Sequence, residues 1–270
     1  MLLSFNPAID GDRFIWNLAP WDAELLAAIK KAQAIVLPQT VTREFYRLCK
    51  ENCAKVFPNY DMRCSWEGKV GDTLLFWTFG VAHPRTMVFP RLESMVNEHP
   101  EMMAKPILPD FPFVIKGACG GEGRYVWLVK CQEDFDKTLA RLKKCELEGV
   151  FGFVIQEYLP GLKRDLRVVV IGDEIISYWR NREGFFHNVS KGGTIDFESD
   201  PHLQKKGREA VHELCVKTGI NLAGFDLIFA DPDRDPLFLE INYTFGRVGL
   251  GGSEAFYTLL EKEVKNWLAK

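Results

Sequence analysis

Leu237-Phe238-Leu239-Glu240-Ile241-Asn242 alternates apolar and polar side chains, the period of a half-buried strand, which sends Glu240 and Asn242 to one face about 7 Å apart. Upstream, residues 222–229 form an apolar strand interrupted by Asp226, and the turn-rich residues 231–236 let the two strands pair as a hairpin. Asp226, Glu240 and Asn242 then converge. Two facing carboxylates repel and are costly to desolvate, so a hard divalent cation with bound phosphate is their natural partner; a pair of acids on a solvated sheet face is the plainer alternative.

Working outward, Pro112-Phe113-Val114-Ile115-Lys116 is an apolar strand ending in lysine, followed directly by Gly117-Ala118-Cys119-Gly120-Gly121-Glu122-Gly123. A phosphate oxygen neutralises such a lysine, and a glycine-rich loop brings backbone N–H groups close to further oxygens and can move as a lid; a hairpin turn with a snorkelling lysine is the alternative. Residues 154–159 run from apolar strand to a polar end at Gln156, Glu157, Tyr158 and Leu159, suited to an adenine edge and ribose. Asp165 and Arg167 share a face of the next strand and Arg180 closes the one after it. Two arginines there suit charge developing in phosphoryl transfer, and a structural Asp165–Arg167 ion pair accounts for part of the pattern equally well. Neither G-x-x-x-x-G-K-[ST] nor a helix-opening G-x-G-x-x-G occurs, so a different phosphate cradle is required.

The same periodicities predict, before residue 68, a strand at 13–18, a helix at 21–32, a buried strand at 34–37 and a helix at 42–55: a small α/β unit. Residues 63–71 read as a polar, turn-rich exit and 72–79 as a helix. Strands at 86–89, 113–116 and 124–129 with helices at 91–98 and 132–144 make one α+β subdomain. Strands at 152–158, 165–171, 174–180, 225–230 and 237–241 with helices at 202–218 and 253–268 make the remainder. The 270 residues, 47% hydrophobic and 26% charged, suffice for a full core, and a net charge of -3 argues against a general nucleic-acid footprint. No apolar run is long enough to span a bilayer and the start lacks a secretory signal, so a cytoplasmic address is expected. The seven cysteines lack C-x-x-C spacing and read as reduced thiols; Cys49 and Cys53, one helical turn apart, have no nearby residues to complete a zinc site.

Taken in order, these segments resemble the ATP-grasp superfamily, in particular the glutathione-synthetase-like and RimK-type carboxylate-amine ligases, from about Lys69 to the C-terminus. Lys69, ahead of Gly80-Val81-Ala82-His83-Pro84-Arg85-Thr86, matches the first ATP lysine and Lys116 the second. Residues 117–123, with Gly120, Gly121 and Gly123, match the loop over the triphosphate; Gln156, Glu157, Tyr158 and Leu159 match the adenine and ribose hinge. Asp165-Leu166-Arg167 resembles the family's Asp-x-Arg, Arg180 the arginine near the transferred phosphate, Asn188 with Gly192 and Gly193 the Asn-x-x-x-Gly-Gly segment, and Asp226, Glu240 and Asn242 the magnesium ligands.

The resemblance implies an α/β (α+β) ATP-grasp fold. Two α+β subdomains, 69–156 with the glycine loop and 157–270 with the metal site, clasp ATP, and a short pre-ATP-grasp domain at 1–68 precedes them. It implies ATP and magnesium, with manganese as a substitute. Its chemistry is phosphorylation of a carboxylate and coupling to an amine, with Arg180 and Arg167 catalytic. The substrates are then small-molecule or peptide carboxylates and amines, with neither nucleic acid nor membrane, and a homo-oligomer stays open. A nucleotide-binding scaffold without turnover and a small-molecule kinase are the rival readings. Where the family often has a small residue, Pro and Gly after the last metal ligand, this chain reads Tyr243-Thr244-Phe245-Gly246-Arg247, so its acceptor side is its own. Residues 246–252 either join a strand to a helix capped by Ser253, or use Arg247 and the amides around Gly251 and Gly252 to hold a substrate carboxylate.

Overall fold

Short apolar runs near the start pair side by side in parallel: β1 (Leu2–Ser4), β2 (Arg13–Phe14), β3 (Ala34–Val36) and β4 (Val56–Phe57), in the order β2-β1-β3-β4. Parallel neighbours need crossovers, supplied by α1 (Ala23–Lys31) and α2 (Arg43–Asn52). The side chains of Asp22 and Thr42 cap them by accepting the N–H of Leu25 and Phe45. The computed structural model describes residues 1–16, 20–103, 111–118, 120, 125–160, 162–181 and 193–270. Of the expected strand at 13–18, the described residues 13–16 are strand only at Arg13–Phe14, and 17–18 lie outside the described residues; β1 and β4 are additional. Burial pushes the Cys49 thiol up to about 12, which leaves it a protonated core side chain.

The stretch 63–71 is not an exit loop. It contains most of α3 (Asp61–Ser65) and the start of α4 (Gly68–Phe79), so Lys69 sits in the first turn of a helix. The glycines that suggested a turn have another cause: a Cβ on Gly71 would lie 2.3 Å from the carbonyl carbon of Trp66, so α4 packs against the preceding backbone where only glycine fits. Gly80, at φ 66°, then ends α4 in the left-handed conformation.

Two antiparallel sheets follow. The first orders β5 (Thr86–Phe89), β8 (Phe153–Glu157), β6 (Phe113–Gly117) and β7 (Val126–Val129) side by side, with α5 (Leu92–Glu98) and α6 (Gln132–Leu147) contributing to the core on its back. Alternation places Phe113 and Ile115 in that core, with Phe135 and Phe153, and turns Lys116 to the other face. The second orders β11 (Ile195–Asp196), β10 (Glu174–Asn181), β9 (Arg164–Ile171), β12 (Leu222–Ile228) and β13 (Leu237–Asn242). α7 (Pro201–Thr218) and α8 (Gly252–Ala269) pack against it. Leu166, Val168 and Phe225 of this sheet share one core with Leu3 of β1, Phe5 just beyond it and Tyr46 of α2, so the N-terminal unit is built onto the second sheet.

Candidate active site

Register assembles the charges. In the second sheet Tyr178, Arg167, Asp226 and Glu240 are direct cross-strand partners over four adjacent strands, with Arg180 opposite Asp165 and Gly224 opposite Asn242 in neighbouring rows. A bulge between Asp226 and Leu227 absorbs one residue of β13 and keeps Glu240 level with Asp226. Gly224 has its own reason: a Cβ there would meet the Arg167 guanidinium at 2.8 Å, so glycine lets that side chain cross the strand.

The arginines do not form the Asp165–Arg167 pair that adjacency in sequence suggested. Arg167 reaches Asp226, Nε to Oδ1 at 2.6 Å and Nη2 donating to Oδ2 at 3.1 Å. Arg180 bridges Asp226 at 2.8 Å and Asp165, to which its Nε donates at 2.8 Å. Burial pushes the Asp226 carboxyl up, but the two guanidiniums outweigh it and hold the group below the usual carboxylate range. Both Asp226 oxygens are therefore committed to arginine, and the Asn242 amide also donates to Oδ2 at 3.2 Å. The Glu240 carboxylate, by contrast, makes no hydrogen bond or ion pair among the described residues.

Opposite Glu240 lie α4 and β6. Lys69 is 8% exposed, and its Nζ donates to the Gly120 carbonyl at 2.5 Å while its N–H donates to Ala118. Burial lowers the pKa of Lys116, with Glu240 acting against that and Lys69 adding to it, so this ammonium lacks a full counter-charge. One side chain escaped the sequence reading. Asp72, a turn beyond Lys69 and 4% exposed, accepts the Ile241 N–H at 3.2 Å between the two polar positions of β13. Burial and then the Glu240 charge raise its pKa well above the usual range. The available signal was a carboxylate on the α4 face that buries Leu75 and Phe76. Lys69, Asp72, Gly120, Glu240 and Asn242 line one cleft.

At the hinge position, Gln156 donates to the Thr86 hydroxyl at 3.0 Å, and Glu157 exchanges two bonds with Arg85, its N–H donating to the carbonyl and its Oε2 accepting the N–H. Glu157, Tyr158 and Leu159 are partly exposed at the strand end. Asp165 is 1% exposed against Arg180. Gly121, Gly123 and Asn188 lie outside the described residues. Ser253 is not the cap of α8. The helix starts at Gly252 after Gly251 (φ 83°), and the Ser253 hydroxyl instead accepts from Arg247 at 3.3 Å.

Comparison with known proteins gives the family. The model of the RimK-like ATP-grasp domain matches residues 90–260. A probable alpha-L-glutamate ligase of Citrobacter koseri is 27% identical over 143 residues, 52% of this chain and 45% of that protein. The alpha-aminoadipate–LysW ligase LysX of Sulfurisphaera tokodaii is 26% identical over 182 residues, 65% of this chain and 59% of that one. The chain thus spans about half the length of the curated relatives it matches. Among solved structures, a RimK domain ATP-grasp protein from Sphaerobacter thermophilus superposes with a TM-score of 0.61 at 12% identity, covering 97% of this chain and 98% of that one. The VanG D-Ala:D-Ser ligase of Enterococcus faecalis superposes with 0.64 at 16% identity, over 88% and 73%. Since the family model covers residues 90–260, well over half of the sequence, the chain belongs to the RimK-like ATP-grasp family.

Proposed function

We propose that the protein is a magnesium-ATP-dependent ligase that activates a substrate carboxylate and joins it to an amine. The observation that carries this is Glu240, without a hydrogen bond or ion pair among the described residues, lining one cleft with Lys69, while its charge also acts on Lys116 of β6. The donor set fits the metal: Glu240 and the Asn242 amide oxygen are hard donors on one strand face, with Asp226 adjacent as a third whose oxygens the arginines share. Magnesium bound there supplies charge neutralisation for the β- and γ-phosphates.

The chain's own groups divide the remaining tasks. Lys69 and Lys116 bind phosphate oxygens, the residues at 156–159 hold the base and ribose, and Arg180 with Arg167 offsets charge on the transferring group. Arg180, anchored by Asp165 and Asp226 and held in its charged form, is preorganised for that. The substrate carboxylate oxygen attacks the γ-phosphorus, the bond to the bridging oxygen breaks and ADP leaves; the amine nitrogen then displaces phosphate from the acyl carbon and loses a proton. Arg247, with the amides around Gly251 and Gly252, holds a substrate carboxylate. No helix among the described residues is long and apolar enough to cross a membrane, and the described cysteines are free thiols, which suits work in the cytoplasm. Incubation with Mg-ATP, pooled carboxylates and hydroxylamine tests the reading. ADP together with hydroxamate is the expected result; a stable phosphorylated product makes the protein a kinase, and tight ATP binding without turnover makes it a scaffold.

A further inference from the structure

Two cavities meet at Thr244, two residues past the end of β13. One is the cleft of Glu240 and Asn242, whose wall includes Arg63 and Tyr243. The other, about 680 Å³, opens between Asn6, Gln39, Arg247, Phe256 and Tyr257, a volume that accommodates a small-molecule substrate.

Both arginines are held the same way. Arg247 lies 4.5 Å over the rings of Phe256 and Tyr257 and donates to the side-chain oxygen of Gln39 at 3.3 Å. Arg63 lies 4.8 Å over Tyr60 and donates to the main-chain oxygen of Gln39 at 2.7 Å. The Gln39 amide in turn donates to the Tyr243 carbonyl at 3.4 Å. Neither guanidinium has a carboxylate within ion-pair distance among the described residues; the nearby acids are taken, Glu67 by Arg43 and Asp61 by Lys50. Tyr243, 8% exposed, keeps a hydroxyl with no hydrogen-bond partner among the described residues. Ring faces and neutral oxygens hold the arginines in place but leave most of their donors unfilled, and partly desolvated cations without counter-ions call for an incoming anion.

We propose that Gln39 is a positioning residue that presents Arg63 and Arg247 as a paired receptor for a substrate carrying two anionic groups, one beside the metal ligands and one in the larger cavity. The two guanidiniums rest on the main-chain and side-chain oxygens of a single residue, so the two anions belong to one small molecule about the length of a dicarboxylate. This rests on the ligase reading, since it assigns the substrate of the same cleft.

Phenylglyoxal modification of Arg63 and Arg247, followed by peptide mass spectrometry in the presence of magnesium and a non-hydrolysable ATP analogue, tests it with succinate and propionate as probes. Succinate at about 10 mM is expected to slow modification of both arginines about fivefold or more, and propionate less than about twofold. Gln39→Ala raises the succinate concentration needed by about tenfold while analogue affinity stays within about twofold. Gln39→Glu, which gives Arg247 an internal counter-ion, abolishes protection there. Equal modification with and without succinate in protein that binds the analogue overturns the proposal, as does an unchanged succinate requirement in folded Gln39→Ala. Protection by succinate without analogue binding sinks the ligase reading and leaves the receptor standing.

Discussion

Asp226→Asn separates what Asp226 does for the fold from what it does for ATP. Its carboxylate neutralises two guanidiniums, with side chains of Asp226, Arg167 and Arg180 12%, 8% and 11% exposed. The amide keeps the shape and one acceptor but removes the charge. Arg180 retains Asp165, whereas Arg167 is left without its one ion-pair partner among the described residues. Breaking a buried pair costs about 3–5 kcal/mol; with the surviving acceptor the lower end, ~3 kcal/mol, is expected. That is about 6–12 °C in Tm. Urea unfolding without nucleotide measures it. The pH dependence carries the sign: the folded carboxyl titrates below its ordinary value, so its stabilisation is complete above about 3.9 and is lost as pH falls through the lower folded value. The variant lacks that acid segment, so the two stability curves converge at the acid end. A variant within about 0.5 kcal/mol of the parent at pH 7 refutes the view that this triad ties β9, β10 and β12 together.

Three further outcomes follow from the same cleft. Glu240→Gln removes a carboxylate with no partner among the described residues, so unfolding stability stays within about 0.5 kcal/mol while magnesium-dependent ADP release falls by about 100-fold or more; retained turnover sinks the metal assignment. Lys116→Met leaves the fold intact and weakens nucleotide binding by about 10–100-fold in a titration. Because the Lys116 pKa is lowered by burial, parental binding weakens with rising pH before an ordinary lysine would titrate, and the methionine variant lacks that slope. Gly71→Ala drives a Cβ against the Trp66 backbone at 2.3 Å, costing about 1–3 kcal/mol and displacing Lys69, so stability and nucleotide affinity fall together; an unchanged melt contradicts the packing.

The sequence revealed the parts of the site that lie on regular alternation. Glu240 and Asn242 share a strand face because side-chain direction has a period of two, and Lys116 ends an apolar strand where its neighbours face the core. Cross-strand partners were not legible. Pairing Arg167 with Asp226 instead of Asp165 depends on the register of β9 with β12, and levelling Glu240 with Asp226 on the bulge between β12 and β13; neither is fixed by local composition. Asp72 was hidden because a lone acid in an apolar helix resembles a solvent-facing residue until the helix is docked on β13. Gln39 and Arg63 belong to the N-terminal unit, and only its packing on the second sheet brings them to the exit of β13. The short β1 and β4 carry too few residues for periodicity to register.

Charge balance divides this site into two halves. Lys69, Lys116, Arg167 and Arg180 face Asp72, Asp165, Asp226 and Glu240, so formal charges cancel, and the arginine half is closed by short ion pairs. The lysine half is not closed: Lys116 is desolvated, and the carboxyl of Asp72 is driven toward its protonated form by burial and by Glu240. Every proton held by Asp72 leaves the lysines in excess over the acid that faces them. On the proposed reading, a metal-bound triphosphate would meet that excess at Lys69 and Lys116 and an oxygen donor at Glu240, with the arginine half already held by its ion pairs. A cation and an anion without an ion-pair partner in one cleft would favour a ligand that carries both signs, as a metal–nucleotide complex does and free phosphate does not, which is the sense of the proposed function.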